Sequence, residues 1–102
     1  MNTERNQVTT IEKEMGITHK DFYAELPKLL NNSPYQQSGD TISFRHKGKD
    51  IEISLGPEGV RKVGPSVRLP VTGITLRLFG FSEKEIRGFI DHFNLKFMKG
   101  GG

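Results

Sequence analysis

Basic side chains and one aromatic ring are the residues of this chain best suited to binding chemistry. Arginine and lysine bind phosphates and carboxylates, and an aromatic ring stacks on a nucleobase. Predicted strands place several of them on one side of a sheet, and a glycine-rich loop carries two more. The candidate residues for contact with an anionic partner are Arg45, Arg61, Lys62, Arg68, Arg77 and Phe79.

Groups that serve catalysis or metal binding show no recognisable pattern. The three histidines, His19, His46 and His92, lack metal-ligand spacing, and the chain has no cysteine. No serine stands in a Gly-x-Ser-x-Gly sequence. Glu83 and Glu85 are explained by their place at the start of a predicted helix. The sequence therefore predicts a protein that is not an enzyme, with no metal and no cofactor.

Three consecutive glycines close the chain and suggest a different chemistry. Glycine has no side chain to pack, so residues 99–102 are expected to form a flexible tail. In Gly101-Gly102 the chain resembles ubiquitin-like modifiers and small sulfur carriers, which thread such a tail into an adenylating enzyme. That resemblance implies a carrier or modifier activated at its C-terminal carboxylate. The tail here follows a predicted helix, whereas in those families it follows a strand.

Composition sets the broad class of the protein. A chain of 102 residues with 33% apolar residues is expected to form one domain with a single core. Its net charge of +3 favours anionic partners, either an acidic protein or single-stranded nucleic acid. We expect no membrane span and no signal peptide, because no apolar stretch is long enough. These properties are typical of a cytoplasmic protein.

A polar leader and a helix are predicted in the first third of the chain. Residues 1–15 are expected to be mobile. A helix begins after Thr18, which pairs with Asp21 in a capping box, and ends at Asn31. Pro27 removes one helical hydrogen bond, so a kink or break is expected just before it. The apolar stripe of this helix is Phe22, Leu26, Leu29 and Leu30.

A β-hairpin with a defined register follows. A two-residue turn at Lys47-Gly48 joins two alternating segments. This turn places Phe44 opposite Ile51 and Ile42 opposite Ile53 on one face. The opposite face then pairs Arg45 with Asp50 and Ser43 with Glu52. Apolar and opposite-charge pairs agree in one register, which supports the assignment.

The next segment is predicted to be a loop followed by extended chain. Residues 56–65 contain glycine, proline, Arg61 and Lys62, which favours a mobile basic loop. Val67–Phe79 alternates in two phases, Val67 and Leu69 in the first and Ile74 onward in the second. The change of phase indicates two strands or one bulged strand, and we favour two strands.

The last helix has the clearest signals. Ser82 and Glu85 form a capping box, and an apolar stripe runs through the helix. Phe89 and Phe93 lie at the centre of that stripe and are predicted to be buried against the sheet.

Together these elements predict a two-layer α+β domain over residues 16–98, in the order helix, four antiparallel strands, helix. Both helices cover one sheet face, and the other face is left open and basic. The predicted function is a non-enzymatic binding module that uses the open face and the basic loop toward an acidic partner. Two alternatives stay open: a carrier activated at Gly101-Gly102, and a homodimerising structural domain.

Overall fold

Five strands and two helices make up the computed structural model, which describes residues 7–98. The elements in chain order are β1 (Val8–Met15), α1 (His19–Leu30), β2 (Gln36–Ser38), β3 (Thr41–His46), β4 (Lys49–Lys62), β5 (Arg68–Phe79) and α2 (Glu83–Met98). The strands form one antiparallel sheet in the order β1-β5-β4-β3-β2. The predicted α+β class is therefore confirmed, but the predicted number of four strands is wrong.

The N-terminal segment contributes an edge strand. Residues 8–15, which the sequence assigned to a mobile leader, pair with β5 along their whole length, from Val8 opposite Phe79 to Met15 opposite Thr72. Alternate side chains of β1 are partly buried, and Ile11 and Met15 pack against the core. The leader prediction was wrong for residues 8–15 because it relied on their polar composition, whereas the strand forms by pairing with β5, far away in the sequence. Residues 1–6 and 99–102 lie outside the described part of the chain.

Helix α1 has the predicted ends but not the predicted break. The Thr18 hydroxyl accepts a hydrogen bond from the Asp21 amide at 3.0 Å, and Asn31 adopts a left-handed conformation that ends the helix. The helix runs without interruption through Pro27. Leu26 and Leu29 are buried on either side of the proline, so core packing holds the helix together across the missing hydrogen bond.

The β3–β4 hairpin has the predicted register. Phe44 lies opposite Ile51, and Arg45 lies opposite Asp50. Lys47 and Gly48 both have positive φ, as the mirror-image turn of a two-residue hairpin requires. This local prediction is confirmed in every pair.

Strands β4 and β5 form a long hairpin where a loop and two strands were predicted. Residues 56–62 belong to β4, and β5 is one unbroken strand from Arg68 to Phe79. The irregularity lies in β4, where a bulge between Leu55 and Glu58 shifts the register. The predicted loop and the predicted break in β5 are therefore both corrected.

Helix α2 closes the core on the same sheet face as α1. Ser82 and Glu85 exchange the two hydrogen bonds of the predicted capping box, at 2.8 and 3.2 Å. Phe89 and Phe93 are 2% and 0% exposed, so their predicted burial is confirmed. Both helices contribute to one apolar cluster with the sheet residues that face them. Neither helix of the described residues is long and apolar enough to cross a membrane.

Candidate functional site: a basic arm beyond the sheet

The open sheet face carries more carboxylates than arginines. We use this name for the side of the sheet away from the helices, within residues 8–15, 41–46, 49–55 and 73–79. The strand registers place four acidic and two basic residues there: Glu12, Glu14, Asp50, Glu52, Arg45 and Arg77. The expectation of a basic open face is therefore corrected, because β1 adds two glutamates that the predicted four-stranded sheet did not contain.

Both arginines of the open face already have partners. The Arg45 guanidinium lies 3.3 Å from the Asp50 carboxylate and also donates to the Gly48 carbonyl. Arg77 donates to the Ser54 hydroxyl at 3.4 Å and lies opposite Glu52 in the ladder. These contacts leave the two side chains less available to an external anion.

A broad, open hollow occupies one end of the open face. Its volume is about 1160 Å³, and its aromatic lining residues are Tyr35, Phe44 and Phe79. Ser43, Arg45 and Glu52 are among its polar lining residues. Phe79 thus lies beside Arg45, as predicted, but in surroundings that carry both signs of charge.

The hairpin beyond the β4 bulge extends past the rest of the sheet. We call residues 58–71 the arm. Strand β3 pairs with β4 only as far as Ser54, and β1 pairs with β5 only as far as Thr72. The arm is therefore a two-stranded ribbon with no neighbouring strand on either side in the described chain. Such a ribbon has little stability of its own in water, which makes its attachment important.

Contacts at the base tie the arm to α1 and β1. The His19 amide donates to the Glu58 carboxylate at 2.8 Å, and the His19 ring lies 2.6 Å from the Gly56 carbonyl oxygen. The Thr72 hydroxyl donates to the Ile17 carbonyl at 2.7 Å. The two His19 bonds connect the start of α1 to the bulge, about forty residues away, and the Thr72 bond connects β5 to the segment between β1 and α1. The arm is thus held at its base and exposed beyond it.

One face of the arm pairs two cations with each other. Lys62 and Arg68 are direct cross-strand partners, and both are exposed. The amide of Val63 donates to the carbonyl of Val67 at 2.8 Å, so the adjacent Lys62–Arg68 pair is of the closer, non-hydrogen-bonded type. Like charges directly opposite each other destabilise a ladder. An anion placed between them would remove that repulsion.

The opposite face of the arm is mainly aliphatic. It carries Val63, Val67 and Leu69, which are 47%, 49% and 46% exposed. Arg61 lies on the same face and forms an ion pair with Glu14 of β1. Exposed aliphatic residues concentrated on one small projection indicate a contact surface.

The outer edge of β5 in the arm is blocked against strand addition. A Cβ on Gly16 would lie 3.6 Å from the Pro70 carbonyl oxygen, so this carbonyl points to the outer edge. The backbone nitrogen of a strand residue points to the same side as its carbonyl. Pro70 therefore lacks an N–H where a further strand would need one, without losing a bond to β4. The two faces, the tip and the β4 edge of the arm remain as its contact surfaces.

The histidines have structural roles in the described chain. His46 packs against Phe89 with ring centroids 5.2 Å apart, and His92 lies 3.0 Å from the Leu29 carbonyl oxygen. Burial, aided by the positive charge of Lys47 and by His92, lowers the pKa of His46. Within residues 7–98, no group of three or more His, Asp or Glu side chains is placed to hold a metal ion.

The predicted binding residues are thus divided among three places. Arg45 and Phe79 line the hollow, Arg77 lies in the middle of the open face, and the other three basic residues lie on the arm. Of the arm residues, Arg61 and Lys62 were predicted to lie in a loop and Arg68 on the open face. The missed signal is Val63-Gly64-Pro65-Ser66-Val67, in which β-branched residues flank turn residues as in a hairpin. Gly101 and Gly102 lie outside the described residues.

No family model matches the chain, and no curated protein is significantly similar to it in sequence.

Proposed function

We propose that this protein is a non-enzymatic binding module that contacts nucleic acid through its arm. The observation that carries the proposal is the exposed Lys62–Arg68 cross-strand pair. Two adjacent cations on one face suit a partner with several anionic groups in a row, such as a phosphate backbone, better than a partner with a single carboxylate. The proposed contact surface is thus the arm and not the open sheet face. The partner remains anionic, as the net charge of the chain favours.

The distribution of charge supports the arm over the rest of the surface. The sequence from Gly59 to Val71 contains three basic residues and no Asp or Glu. Glu14 offsets the charge of Arg61 in an ion pair, and Glu58 lies at the base of the arm, where it accepts from the His19 amide. Lys62 and Arg68 therefore remain as a positive pair nearer the tip. A local positive potential attracts a polyanion even when the net charge of the chain is small. A cytoplasmic location belongs to the same proposal.

Chemical-shift mapping tests this function directly. A 16-nucleotide DNA of mixed sequence, single-stranded and as a duplex, is titrated into the full chain at about 50 mM salt. We expect the largest shifts at Arg61, Lys62 and Arg68, and smaller shifts at Arg45 and Arg77.

A charge-reversal variant and a matched control complete the test. Lys62→Glu/Arg68→Glu should abolish binding, whereas Lys84→Glu/Arg87→Glu changes the same charge on exposed positions of α2 and should reduce it less. Equal losses in the two variants would contradict the proposal. If neither DNA shifts the arm but poly-glutamate does, the partner is an acidic protein.

A further inference from the structure

We propose that the nucleic acid is duplex DNA and that the arm enters its major groove. This inference rests on the proposed function and specifies its ligand. It depends on three properties of the arm: the absence of aromatic side chains, basic residues on both faces, and the width of a two-stranded ribbon.

The chemistry of the arm does not suit single strands. Proteins that hold single-stranded nucleic acid combine cations with aromatic side chains on which the bases stack. The sequence from Gly56 to Leu78 contains no Phe, Tyr, Trp or His. Phe79 and Tyr35 lie away from the arm, at the hollow on the open face, where Asp50 and Glu52 offset Arg45 and Lys49. A duplex keeps its bases stacked and needs no such platform, so it fits the arm better.

Positive charge on both faces of the ribbon matches a groove with two phosphate walls. Lys62 and Arg68 lie on one face and Arg61 on the other. A ribbon laid on a single strand would bring only one of these faces to the backbone. Between two phosphate strands, both faces find anions. The ion pair of Arg61 with Glu14 is exposed, like that of Arg45 with Asp50, so a phosphate has to compete with Glu14 for this side chain.

The dimensions of the arm indicate which groove of a nucleic-acid duplex it fits. Gly59 and Val63 are four positions apart, a reach of about 13 Å at strand spacing, and the turn at residues 64–66 lies beyond them. The major groove of B-form DNA, about 12 Å wide, admits a two-stranded ribbon, whereas the minor groove is about half as wide. The major groove of A-form RNA is too narrow for side chains to read. Duplex DNA is therefore the expected ligand.

Aliphatic residues of the arm have partners in the same groove. Val60 is 64% exposed and lies on the face of Lys62 and Arg68. Thymine presents a methyl group in the major groove, and apolar side chains contact it. A DNA duplex offers both phosphates and methyl groups in its major groove. This accounts for an exposed valine beside two cations on the arm.

Fluorescence anisotropy tests the inference. The full chain is titrated into labelled ligands of one 16-nucleotide sequence. The ligands are the DNA duplex, its single strand and the RNA duplex, each measured between about 50 and 200 mM salt. We expect the DNA duplex to bind at least about tenfold more tightly than the other two. Three phosphate contacts predict a slope of about −2.7 for log K against log[salt] with the duplex.

Two further measurements separate a specific arm contact from general attraction. Lys62→Ala/Arg68→Ala should reduce that slope by about 1.8, whereas Lys84→Ala/Arg87→Ala should leave it nearly unchanged. Saturation of an A·T-rich duplex with distamycin, which occupies the minor groove, should not displace the protein. Displacement by distamycin would overturn the groove assignment.

The outcomes distinguish failure of the duplex-DNA inference from failure of the proposed nucleic-acid-binding function. Equal or tighter binding of the single strand or of RNA would overturn the duplex assignment and leave nucleic-acid binding in place. If the protein binds none of the three but sediments with vesicles of anionic lipid, both the inference and the proposed function fail.

Discussion

Phe89 lies at the point where α2, the sheet and the histidines meet. Its ring is 2% exposed and packs near the rings of Phe44, His46 and Phe93. Large aromatic side chains in such positions dominate the stability of a small core. The residue therefore reports on whether the helix layer and the sheet share one core.

Replacement of Phe89 by alanine should cost about 3–5 kcal/mol of unfolding free energy, because it leaves a cavity among residues that cannot collapse into it. Urea denaturation of the full chain measures this loss. Leu95→Ala is the matched control, since Leu95 belongs to the same helix and is 68% exposed. It should change stability by less than about 1 kcal/mol. Similar losses at both positions would mean that α2 does not pack as described.

Glu85 links the start of α2 to the β3–β4 turn. Its carboxylate accepts from Lys49 at 2.7 Å and from the Ser82 amide at 2.8 Å. These two bonds, the lysine first, lower the pKa of Glu85 from 4.5 to about 2. Because the folded pKa is the lower one, this stabilisation is present above about pH 4.5 and is lost as the pH falls toward 2.

Glu85→Gln keeps a side chain that can cap the helix but removes the charge. We expect the stability difference from the natural protein to be largest above about pH 4.5 and to narrow toward pH 2. Thermal denaturation at a series of pH values measures it. Lys49→Met should produce the same narrowing, because it removes the main cause of the pKa shift. A difference that is constant with pH would contradict this account.

At the scale of elements, the arm is attached to the domain but contributes little to its core. None of the buried apolar residues lies between Glu58 and Val71. Its polar contacts to the domain are those of Glu58 with the His19 amide and of Arg61 with Glu14, and the bonds of Gly56 and Thr72 flank its base. The proposed binding surface is therefore separate from the part of the β4–β5 hairpin that packs in the core.

Removal of the outer arm should therefore leave the fold intact. Replacing residues 60–70 by Asn-Gly joins Gly59 to Val71, which are cross-strand partners, through a turn suited to a two-residue hairpin. We expect the unfolding free energy to change by less than about 1 kcal/mol and DNA binding to disappear. Urea denaturation and anisotropy measure the two effects. A large loss of stability would show that the arm supports the core.

At the scale of the whole molecule, the arm makes the protein elongated. The Cα radius of gyration is 14.7 Å, and the principal extents are 56 × 26 × 24 Å. A compact chain of this length has a radius of gyration of roughly 13 Å. The sheet edges away from the arm are poorly suited to pairing. Lys13 lies on the helix side of β1, and β2 has only three residues.

We expect the free protein to be a monomer in solution, because both outer edges carry features that oppose strand addition. Light scattering after size-exclusion chromatography measures the mass directly. Lys13→Val removes the charge from the β1 edge and should promote self-association. A dimer of the natural chain would instead favour the homodimerising alternative, with the arm as the first place to look for its interface.

Local patterns in the sequence determined the parts of this fold that depend on near neighbours. The β3–β4 register follows from the Lys47-Gly48 turn and alternating side chains, and the start of α2 follows from Ser82 and Glu85. Each of these features joins residues a few positions apart, so propensity and periodicity suffice to predict it. The burial of Phe89 and Phe93 follows from the same periodicity.

Three features depend on the tertiary structure alone: strand β1, the arm, and the distribution of the basic residues over separate surfaces. Val8–Met15 is a strand because it pairs with β5, some sixty residues later, and its charged side chains gave no local sign of this. The apolar phase changes within β5 because neither helix of the described residues covers the arm, so Val67 and Leu69 mark an exposed face and not the core. Arg68 and Arg77 belong to one strand but lie on opposite faces, because nine residues separate them and side chains alternate. Which cations lie on the same face thus depends on where the helix layer ends. No short segment of the sequence determines that point.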